Sequence, residues 1–537
     1  MHRSQNQATT TGYESLDRLV AALRAPGRYA HPVQEVEVLQ THISCVLLAG
    51  EYAYKIKKPV NLGFLDFTTL QARRRFCEEE LRLNRRTAPA LYVEVLPVSG
   101  SAAAPVLGGS GPAIEYALRM RRFGQEALLD SMARHGELAP RHIDALAPGI
   151  ADFHARIDRA GPEAAFGSPG RILDQSLQNF DQMLVLVDAR AELALLARLR
   201  DWTVRTHASL AAVLDSRRRA GLVRECHGDL HLGNIALLGG VPTPFDCIEF
   251  SEEFRWIDVM SEVAFLVMDL IDHRSPRLAF RFLNAYLEIT GDYAGMRVLR
   301  FYLVHRAMVR AKVACMRAHQ PGMAARAQSD CEHEYRRHLH LAERLAATGH
   351  PAMLIMHGLS GSGKSTVARG LQEALCAVRL RSDVERKRQH GLAPFARSGS
   401  GLDAGLYAPE ASAAAYERLA ELAREILAAG YPVIVDAAFL KRSQRDRFAE
   451  LARAAGANFV IVSCAASPAA LRARVARRER LGADASEAGL DVLERQFATA
   501  EPLADEEAGY ALTLDAERSA GVAEASALAL RLGLEVR

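Results

Sequence analysis

Cysteine is sparse in this chain: eight among 537 residues, at positions 45, 77, 226, 247, 315, 331, 376 and 464. No two stand as Cys-x-x-Cys, so neither a zinc-binding pattern nor a disulfide framework emerges, and reduced thiols in a cytoplasmic protein are expected. A dominant charge is missing as well. Lys and Arg total 67 against 64 Asp and Glu, a formal net charge of +3, which gives no overall pull toward nucleic acid or a membrane surface. No apolar run reaches the ~20 residues of a membrane helix; the window Val263–Leu270 is broken by Asp269 and followed by Asp272. Met1–Thr11 is polar and lacks the apolar segment of a secretory signal. No internal repeat is visible. What remains is globular: hydrophobic residues make up 49% and charged residues 24%, which excludes wholesale disorder. At roughly 150 residues per domain the length allows about three domains or two large ones.

The chain changes character near residue 350. Residues 296–347 carry apolar side chains at helical spacing (Leu299, Tyr302, Leu303, Ala307), and Thr348-Gly349-His350-Pro351 stops the pattern. Beyond it, strands are expected at 353–357, about 378–382, 432–436, 458–463 and 510–514, alternating with helices such as 412–429. That alternation implies parallel strands with right-handed crossovers. Before it, Val33–Leu39, Ser44–Ala49 and Tyr52–Lys57 read as an antiparallel meander. A charged helix (68–86), a strand around 91–97, a Gly/Ser-rich turn at Ser99–Gly111 and a strand at 113–119 follow. The rest to 345 is mostly helical, interrupted over 222–250.

The second part opens on Gly358-Leu359-Ser360-Gly361-Ser362-Gly363-Lys364-Ser365-Thr366, which satisfies G-x-x-x-x-G-K-[ST] between a strand and a helix. Glycines let main-chain N–H groups turn inward around phosphate oxygens, and the next helix offers its N-terminus to the anion. Lys364 would reach the β- and γ-phosphates of ATP, and Ser365 would give an oxygen to Mg²⁺. Asp436, ending the strand Val433–Asp436, suits the second metal-side carboxylate. Asp383 follows a strand and lies one helical turn from Arg386; it could take a proton from an attacking hydroxyl while Arg386 holds a phosphate. Arg474, Arg477 and Arg478 share a helical face and could close over phosphates as a lid. This half resembles the P-loop small-molecule and polynucleotide kinases, an AAA-type ATP-binding group. Asp383-x-x-Arg386 looks like the acceptor-activating pair of polynucleotide 5′-kinases. The tail Gln496–Glu507, with Glu501-Pro502-Leu503, is similar to gluconate-type kinases.

The interruption at 222–250 holds His227-Gly228-Asp229-Leu230-His231-Leu232-Gly233-Asn234. Asp229 and Asn234 have the spacing of a protein-kinase catalytic loop, in which the Asp accepts the hydroxyl proton and the Asn holds Mg²⁺. A hairpin after Asn234 would bring back Asp246 as the metal carboxylate, with Glu249 as the alternative. His227 reads as a brace for the loop, and His231 stays undetermined. The residues of this loop resemble the aminoglycoside phosphotransferase and choline-kinase-like enzymes, which use H-G-D-x-x-x-x-N. The resemblance implies ATP in the cleft of a two-lobed fold, a lysine on the third strand, a glutamate on the next helix and a structural aspartate where Asp258 stands, a fold-support role. Lys55 in Ala53-x-Lys55 fits the first, with Lys57 able to substitute, and Glu79 within Glu78-Glu79-Glu80 fits the second. No G-x-G-x-x-G covers the phosphates; the corresponding turn is Gln40–Ser44.

The expected architecture is therefore α+β followed by α/β. A two-lobed, protein-kinase-like domain spans 1–347, with a β lobe at about 30–120 and a helical lobe at about 121–347. A P-loop NTPase domain, a parallel αβα sandwich, spans 350–537. The leading expectation is a bifunctional ATP- and Mg²⁺-dependent kinase acting on hydroxyls of small polar molecules, without a membrane partner. Two alternatives stand beside it: an ATP-binding regulator with an inactive kinase-like lobe, and 5′-hydroxyl phosphorylation of nucleic acid by the second domain.

Overall fold

The computed structural model describes residues 14–63, 65–320, 322–347, 349–394, 396, 408–481, 488–515, 528–529 and 532–533. Met1–Thr11 and Thr348 of the boundary signal lie outside them. The strands are β1 (Val36–Gln40), β2 (Ser44–Ala49), β3 (Tyr52–Lys57), β4 (Tyr92–Ser101), β5 (Ala104–Leu107), β6 (Glu115–Arg121), β7 (Val223–Glu225), β8 (Ile235–Leu238), β9 (Val241–Pro244), β10 (Trp256–Asp258), β11 (Ala352–His357), β12 (Val378–Arg381), β13 (Val433–Asp436), β14 (Asn458–Ala465) and β15 (Ala511–Asp515). The principal helices are α1 (Leu70–Asn84), α2 (Pro140–Arg156), α3 (Pro169–Leu184), α4 (Arg190–Arg219), α5 (Val259–Asp272), α6 (Pro276–Thr290), α7 (Met296–Ala318) and α8 (Ala325–Ala346), then α9 (Lys364–Ala374), α10 (Ser382–Gln389), α11 (Pro409–Ala428), α12 (Arg442–Ala454), α13 (Pro468–Leu481) and α14 (Leu490–Thr499).

Contacts gather the chain into two compact units. The first takes in Met1–Leu146, Asp152–Gly167 and Arg217–Glu262; the second takes in Ala147–Ala151, Ser168–Ser216 and Val263–Arg537. The helices after Val263 thus fall in the same compact unit as the parallel sheet.

In the first unit a six-stranded antiparallel sheet runs β1-β2-β3-β6-β4-β5. Alternation along β3 sends Tyr54 and Ile56 into a core with Leu47, Val98 and Ala117, and puts Lys55 and Lys57 together on the other face. The Ser99–Gly111 stretch, expected as a turn, is a hairpin: β4 continues to Ser101 and pairs with β5. The tight bend is Ala102-Ala103; Gly100 (φ +84) lies in β4 just before it, where a Cβ would run into the Ala104 carbonyl. Helix α1 is capped by Thr69, whose Oγ1 accepts from Ala72 N at 3.1 Å. Its buried residues Arg73, Cys77, Glu80, Leu83 and Asn84 recur at helical spacing.

In the second unit, the helical stretch expected over 296–347 is two helices, α7 and α8, broken around Gly322 (φ +79). The parallel sheet has the order β12-β13-β11-β14-β15. Its central strand β11 is buried on both faces, which explains its unbroken apolar run. Leu354 and Met356 pack there with Ile434, Val460, Val462 and Leu371 of α9. Among the described residues no helix is long and apolar enough to cross a membrane.

Candidate active sites

The first site is assembled on β3, α1 and the loop after β7. Lys55 Nζ donates to Glu80 Oε1 at 2.8 Å and to Asp246 Oδ1 at 2.6 Å. Lys57 Nζ donates to Glu80 Oε2 at 2.7 Å and also to Glu249. Glu80 therefore bridges both lysines. This corrects the choice of Glu79: Glu80 follows Cys77 by three residues and shares its buried stripe. Glu79 is rotated away, binding Arg82 at 2.8 Å and Arg255 at 3.0 Å. Burial opposes charge on Glu80, but the two lysines outweigh it and hold the carboxyl down at about 2. Burial likewise opposes charge on Lys55, and Asp246, Glu80 and Glu249 overcome it, raising its pKa well above the usual lysine range. Glu249 is pushed up by burial.

Lys55 and Lys57 have distinct settings. Lys57 is 1% exposed, tied to Glu249 and set over the Phe67 ring at 4.9 Å. Lys55 meets Asp246, whose side chain is 42% exposed. Asp246 has a left-handed backbone (φ +63), a conformation aspartate tolerates. Tyr92 Oη accepts its N–H at 3.1 Å, and Asn84 Oδ1 accepts that of Cys247 at 2.9 Å.

The loop His227–Asn234 is pinned from several sides. His227 is buried and donates to Phe245 O at 2.8 Å, which makes it a brace; burial depresses its pKa. Asn234 Nδ2 donates to Asp229 Oδ2 at 2.9 Å and to Asp229 O at 3.0 Å, leaving its carboxamide oxygen for another partner. Phe245 N donates to Asn234 O at 2.9 Å. The β8–β9 hairpin, turning through Gly239 and Gly240 (φ +57 and +83), brings Phe245 opposite Asn234, and Asp246 is the next residue in the chain. His231 Nε2 lies 3.4 Å from Asp229 Oδ2 while its Nδ1 accepts from Gly233 N. Asp258 takes both Arg217 nitrogens at 2.7 and 2.8 Å, a support role. Sequence reasoning missed Glu262, which accepts from Gly228 N at 2.7 Å and from His154 Nε2 at 2.8 Å. No motif marks it; only its place in the first turn of α5, after Asp258, was available as a signal.

The turn Gln40–Ser44 folds on itself. Thr41 Oγ1 accepts from Ser44 N at 2.9 Å and Ile43 N at 3.3 Å, and Lys58 Nζ donates to Thr41 O at 2.6 Å.

The second site lies at the carboxyl ends of β11 and β13. Gly358 (φ +137) passes so close to the Cys464 carbonyl that a Cβ would meet it at 2.5 Å. The loop then runs through Leu359, Ser360, Gly361 and Ser362 to Gly363, which caps α9 in a left-handed conformation (φ +87). Lys364 and Ser365 begin α9, and Thr366 N donates to Gly363 O at 3.0 Å. Ser362 Oγ is buried with no hydrogen-bond partner among the described residues, which fits a loop built for an external acceptor. Lys364 Nζ lies back on Leu359 O at 2.8 Å, its pKa lowered by burial. Asp436 Oδ1 is 3.3 Å from Ser365 Oγ, a pair of hard oxygens that fits a magnesium ion. Its Oδ2 accepts from Arg379 Nη2 at 2.9 Å. Burial would raise the Asp436 pKa, yet Arg379, Arg381 and Lys364 bring it down. Asp383 and Arg386 are joined at 3.4 Å in the first turns of α10. Arg474 Nη1 approaches Gly361 O at 3.4 Å, Arg478 Nη2 donates to Ala488 O at 2.5 Å, and Arg477 is exposed. Gln496 of α14, the first residue of the tail that resembles gluconate-type kinases, accepts from Ser360 N at 2.7 Å.

Residues 66–302 match the phosphotransferase enzyme family, and residues 353–503 match an AAA domain family. An uncharacterized protein of Mycobacterium tuberculosis (strain ATCC 25618 / H37Rv) is 30% identical over 460 residues, which cover 85% of this chain and 90% of that protein. A protein of Mycobacterium bovis matches to the same extent. Among solved structures, a sugar kinase from Janibacter sp. HTCC2649 shares 21% identity, covering 34% of this chain and 95% of its own, with a TM-score of 0.27. A choline/ethanolamine kinase family protein from Mesorhizobium loti shares 13%, covering 59% and 94%, with a TM-score of 0.34. The chain belongs to the family it shares with the two mycobacterial proteins, and within it a phosphotransferase-enzyme domain precedes a P-loop domain of the AAA group.

Proposed function

We propose that this chain is a bifunctional ATP-dependent kinase with two separate phosphoryl-transfer sites. Each passes the γ-phosphoryl group of ATP to a hydroxyl of a small polar acceptor, in the cytoplasm. The observation that carries the reading is the Lys55–Glu80–Asp246 chain of ion pairs in the same unit as the Asp229–Asn234 pair. In the first site Lys55 holds the phosphates. Asp229 takes the proton of the acceptor hydroxyl as its oxygen forms the new bond to phosphorus and the bond to ADP breaks. The Asn234–Asp229 hydrogen bond fixes the carboxylate for that task. Asn234 and Asp246 here, and Ser365 and Asp436 in the second site, would hold Mg²⁺, which neutralises phosphate charge when bound. In the second site Lys364 and the loop amides hold ATP. Asp383 serves as base, with Arg386 on the acceptor side. No side chain acts as a covalent nucleophile; positioning and electrostatics supply the rate.

The test is ADP release from ATP and Mg²⁺ by wild type, Asp229→Ala and Lys364→Ala, with sugars, aminoglycosides, nucleosides and 5′-hydroxyl oligonucleotides as acceptors. Acceptor-stimulated release lost in one variant alone assigns that acceptor to that site. Oligonucleotide-stimulated, salt-sensitive release lost in Lys364→Ala would instead favour a nucleic-acid kinase. Undiminished release in both variants would defeat the reading.

One observation favours a second reading. The Gln40–Ser44 turn spends the Ile43 and Ser44 amides on Thr41, so fewer remain for phosphates, as in an ATP-binding regulator with an idle first site. That reading requires that no acceptor stimulate release and that only Lys364→Ala lower the basal rate.

A further inference from the structure

One face of α6 is committed to the P-loop half. Arg281, Asn284 and Glu288 stand at i, i+3 and i+7, on one helical stripe. Arg281 Nη1 reaches Glu373 Oε1 of α9 at 2.5 Å. Asn284 is buried and plugs the outer edge of β12: its Oδ1 accepts from Arg379 N at 2.7 Å, and its Nδ2 donates to Ala377 O at 2.9 Å. Strand β12 is the edge of the sheet, so these are main-chain groups that no neighbouring strand satisfies. Glu288 Oε1 accepts from Arg381 Nη1 at 2.6 Å, and its carbonyl accepts from Arg388 Nη2 at 2.5 Å. The stripe therefore holds the phosphate-loop helix, the strand carrying Arg379 and Arg381, and the helix carrying Asp383 and Arg386.

The charge balance around Asp436 makes one of these contacts more than scaffolding. Arg381 sits opposite Asp436 in the β12–β13 register. Arg379 already occupies Asp436 Oδ2, and Lys364 adds a third nearby positive charge. A divalent cation at Asp436 Oδ1 competes with every one of these cations. Glu288 gives Arg381 a carboxylate of its own on the outer side of the edge strand.

We infer that α6 is a working part of the P-loop site: Glu288 is a positioning residue that keeps Arg381 off Asp436 and leaves the Asp436–Ser365 oxygens to Mg²⁺. The inference rests on the ATP and metal reading of that site proposed above. It also makes the P-loop half dependent on a helix that precedes it by some sixty residues in the chain.

The test uses the full chain and a fluorescent ATP analogue. Mg²⁺ is titrated into wild type, Glu288→Ala, Glu288→Gln, Arg381→Gln and Glu288→Ala/Arg381→Gln, each with and without Lys364→Ala, and the Lys364-dependent signal is analysed. Outer-shell partners of a metal site typically contribute about tenfold or more to its affinity. Glu288→Ala should raise the Mg²⁺ midpoint about tenfold while metal-free nucleotide affinity stays within about twofold. Glu288→Gln keeps an oxygen for Arg381 and should shift the midpoint less, in the same direction. The double variant should return to the Arg381→Gln midpoint, because the cation that Glu288 restrains is gone; loss of a merely structural contact would not be rescued this way. Hydrogen exchange over residues 377–389 checks that β12 and α10 remain folded. An unchanged midpoint in folded Glu288→Ala, or a double variant no better than Glu288→Ala, overturns the inference. If Glu288→Ala fails to fold, an unshifted Glu288→Gln overturns it equally. Absence of any Lys364-dependent binding in wild type overturns the reading of the site itself, and the inference with it.

Discussion

Replacing Glu80 by Gln, beside the same change at Glu79, measures which glutamate organises the first site. Glu80 is fully buried and accepts from Lys55 at 2.8 Å and Lys57 at 2.7 Å. Its carboxyl is held at about 2, against 4.5 for a free glutamate. That difference corresponds to roughly 3 kcal/mol favouring the charged form in the fold. Each lysine keeps one other carboxylate in Glu80→Gln, so the expected loss of stability is about 2–3 kcal/mol, short of the ~3–5 kcal/mol for wholly unpairing a buried charge. Glu79 binds Arg82 and Arg255, but both guanidiniums keep Glu225 as a partner, so its replacement should cost about 1 kcal/mol or less. The folded pKa of Glu80 lies below its unfolded value, so its contribution is complete well above pH 4.5 and fades as pH falls toward 2. The gap between wild type and Glu80→Gln should therefore narrow by about 1 kcal/mol between neutral pH and pH 4. Urea midpoints of the full chain at several pH values read both quantities, and ADP release reads the accompanying loss of Lys55 placement. A Glu79→Gln variant as impaired as Glu80→Gln, or a gap that widens toward acid, would refute the reasoning.

How much of this was legible depended on whether chemistry or long-range packing dictated the residue. The loop Gly358–Thr366 was readable because a main-chain phosphate cradle admits few compositions, and Gly358 has no room for a side chain beside Cys464. Lys55 and Lys57 were readable as a pair because a strand alternates faces. Their separate settings were not, since these depend on Glu249 and Asp246 arriving from some 190 residues away. The run Glu78-Glu79-Glu80 shows three identical side chains, and only helix phase separates them. Cys77 and Leu83 carried that phase and point to Glu80. The hairpin at β5 was hidden because its bend residues, Ala102 and Ala103, are not turn formers, and the glycines and serines around them read as one long turn. Glu262, Asn284 and Glu288 were invisible for a common reason: each acts on a main-chain group or side chain from a different element, and nothing in the local pattern distinguishes such residues from ordinary helix polar positions.

Three further outcomes are expected. Lys57→Met should lower thermal stability more than Lys55→Met, because Lys57 is 1% exposed between Glu80 and Glu249 against 12% for Lys55; ATP affinity at the first site should respond in the reverse order, as equilibrium binding would show. Asp436→Asn should leave the buried Arg379 guanidinium with a neutral partner, costing about 2–4 kcal/mol, and should weaken Mg²⁺-dependent nucleotide binding to the P-loop, read by denaturation and metal titration. Gly228→Ala tests how the first site's catalytic loop is held. Gly228 has φ +86, and a Cβ there would lie 2.7 Å from the Phe254 carbonyl and 3.3 Å from Ile248 Cδ1. A left-handed alanine costs about 1–3 kcal/mol, and overpacking against a fixed main-chain oxygen adds about 1–3 kcal/mol. The cheapest relief is movement of the loop itself, but Gly228 N is bonded to the buried Glu262 carboxylate and Asp229 is the next residue. Part of the strain must therefore appear as displacement of Asp229 from Asn234. Gly228→Ala should lose Asp229-dependent ADP release while Lys364-dependent nucleotide binding survives; a variant as stable and as active as wild type would show that neither the left-handed turn nor the Glu262 anchor holds Asp229 in place.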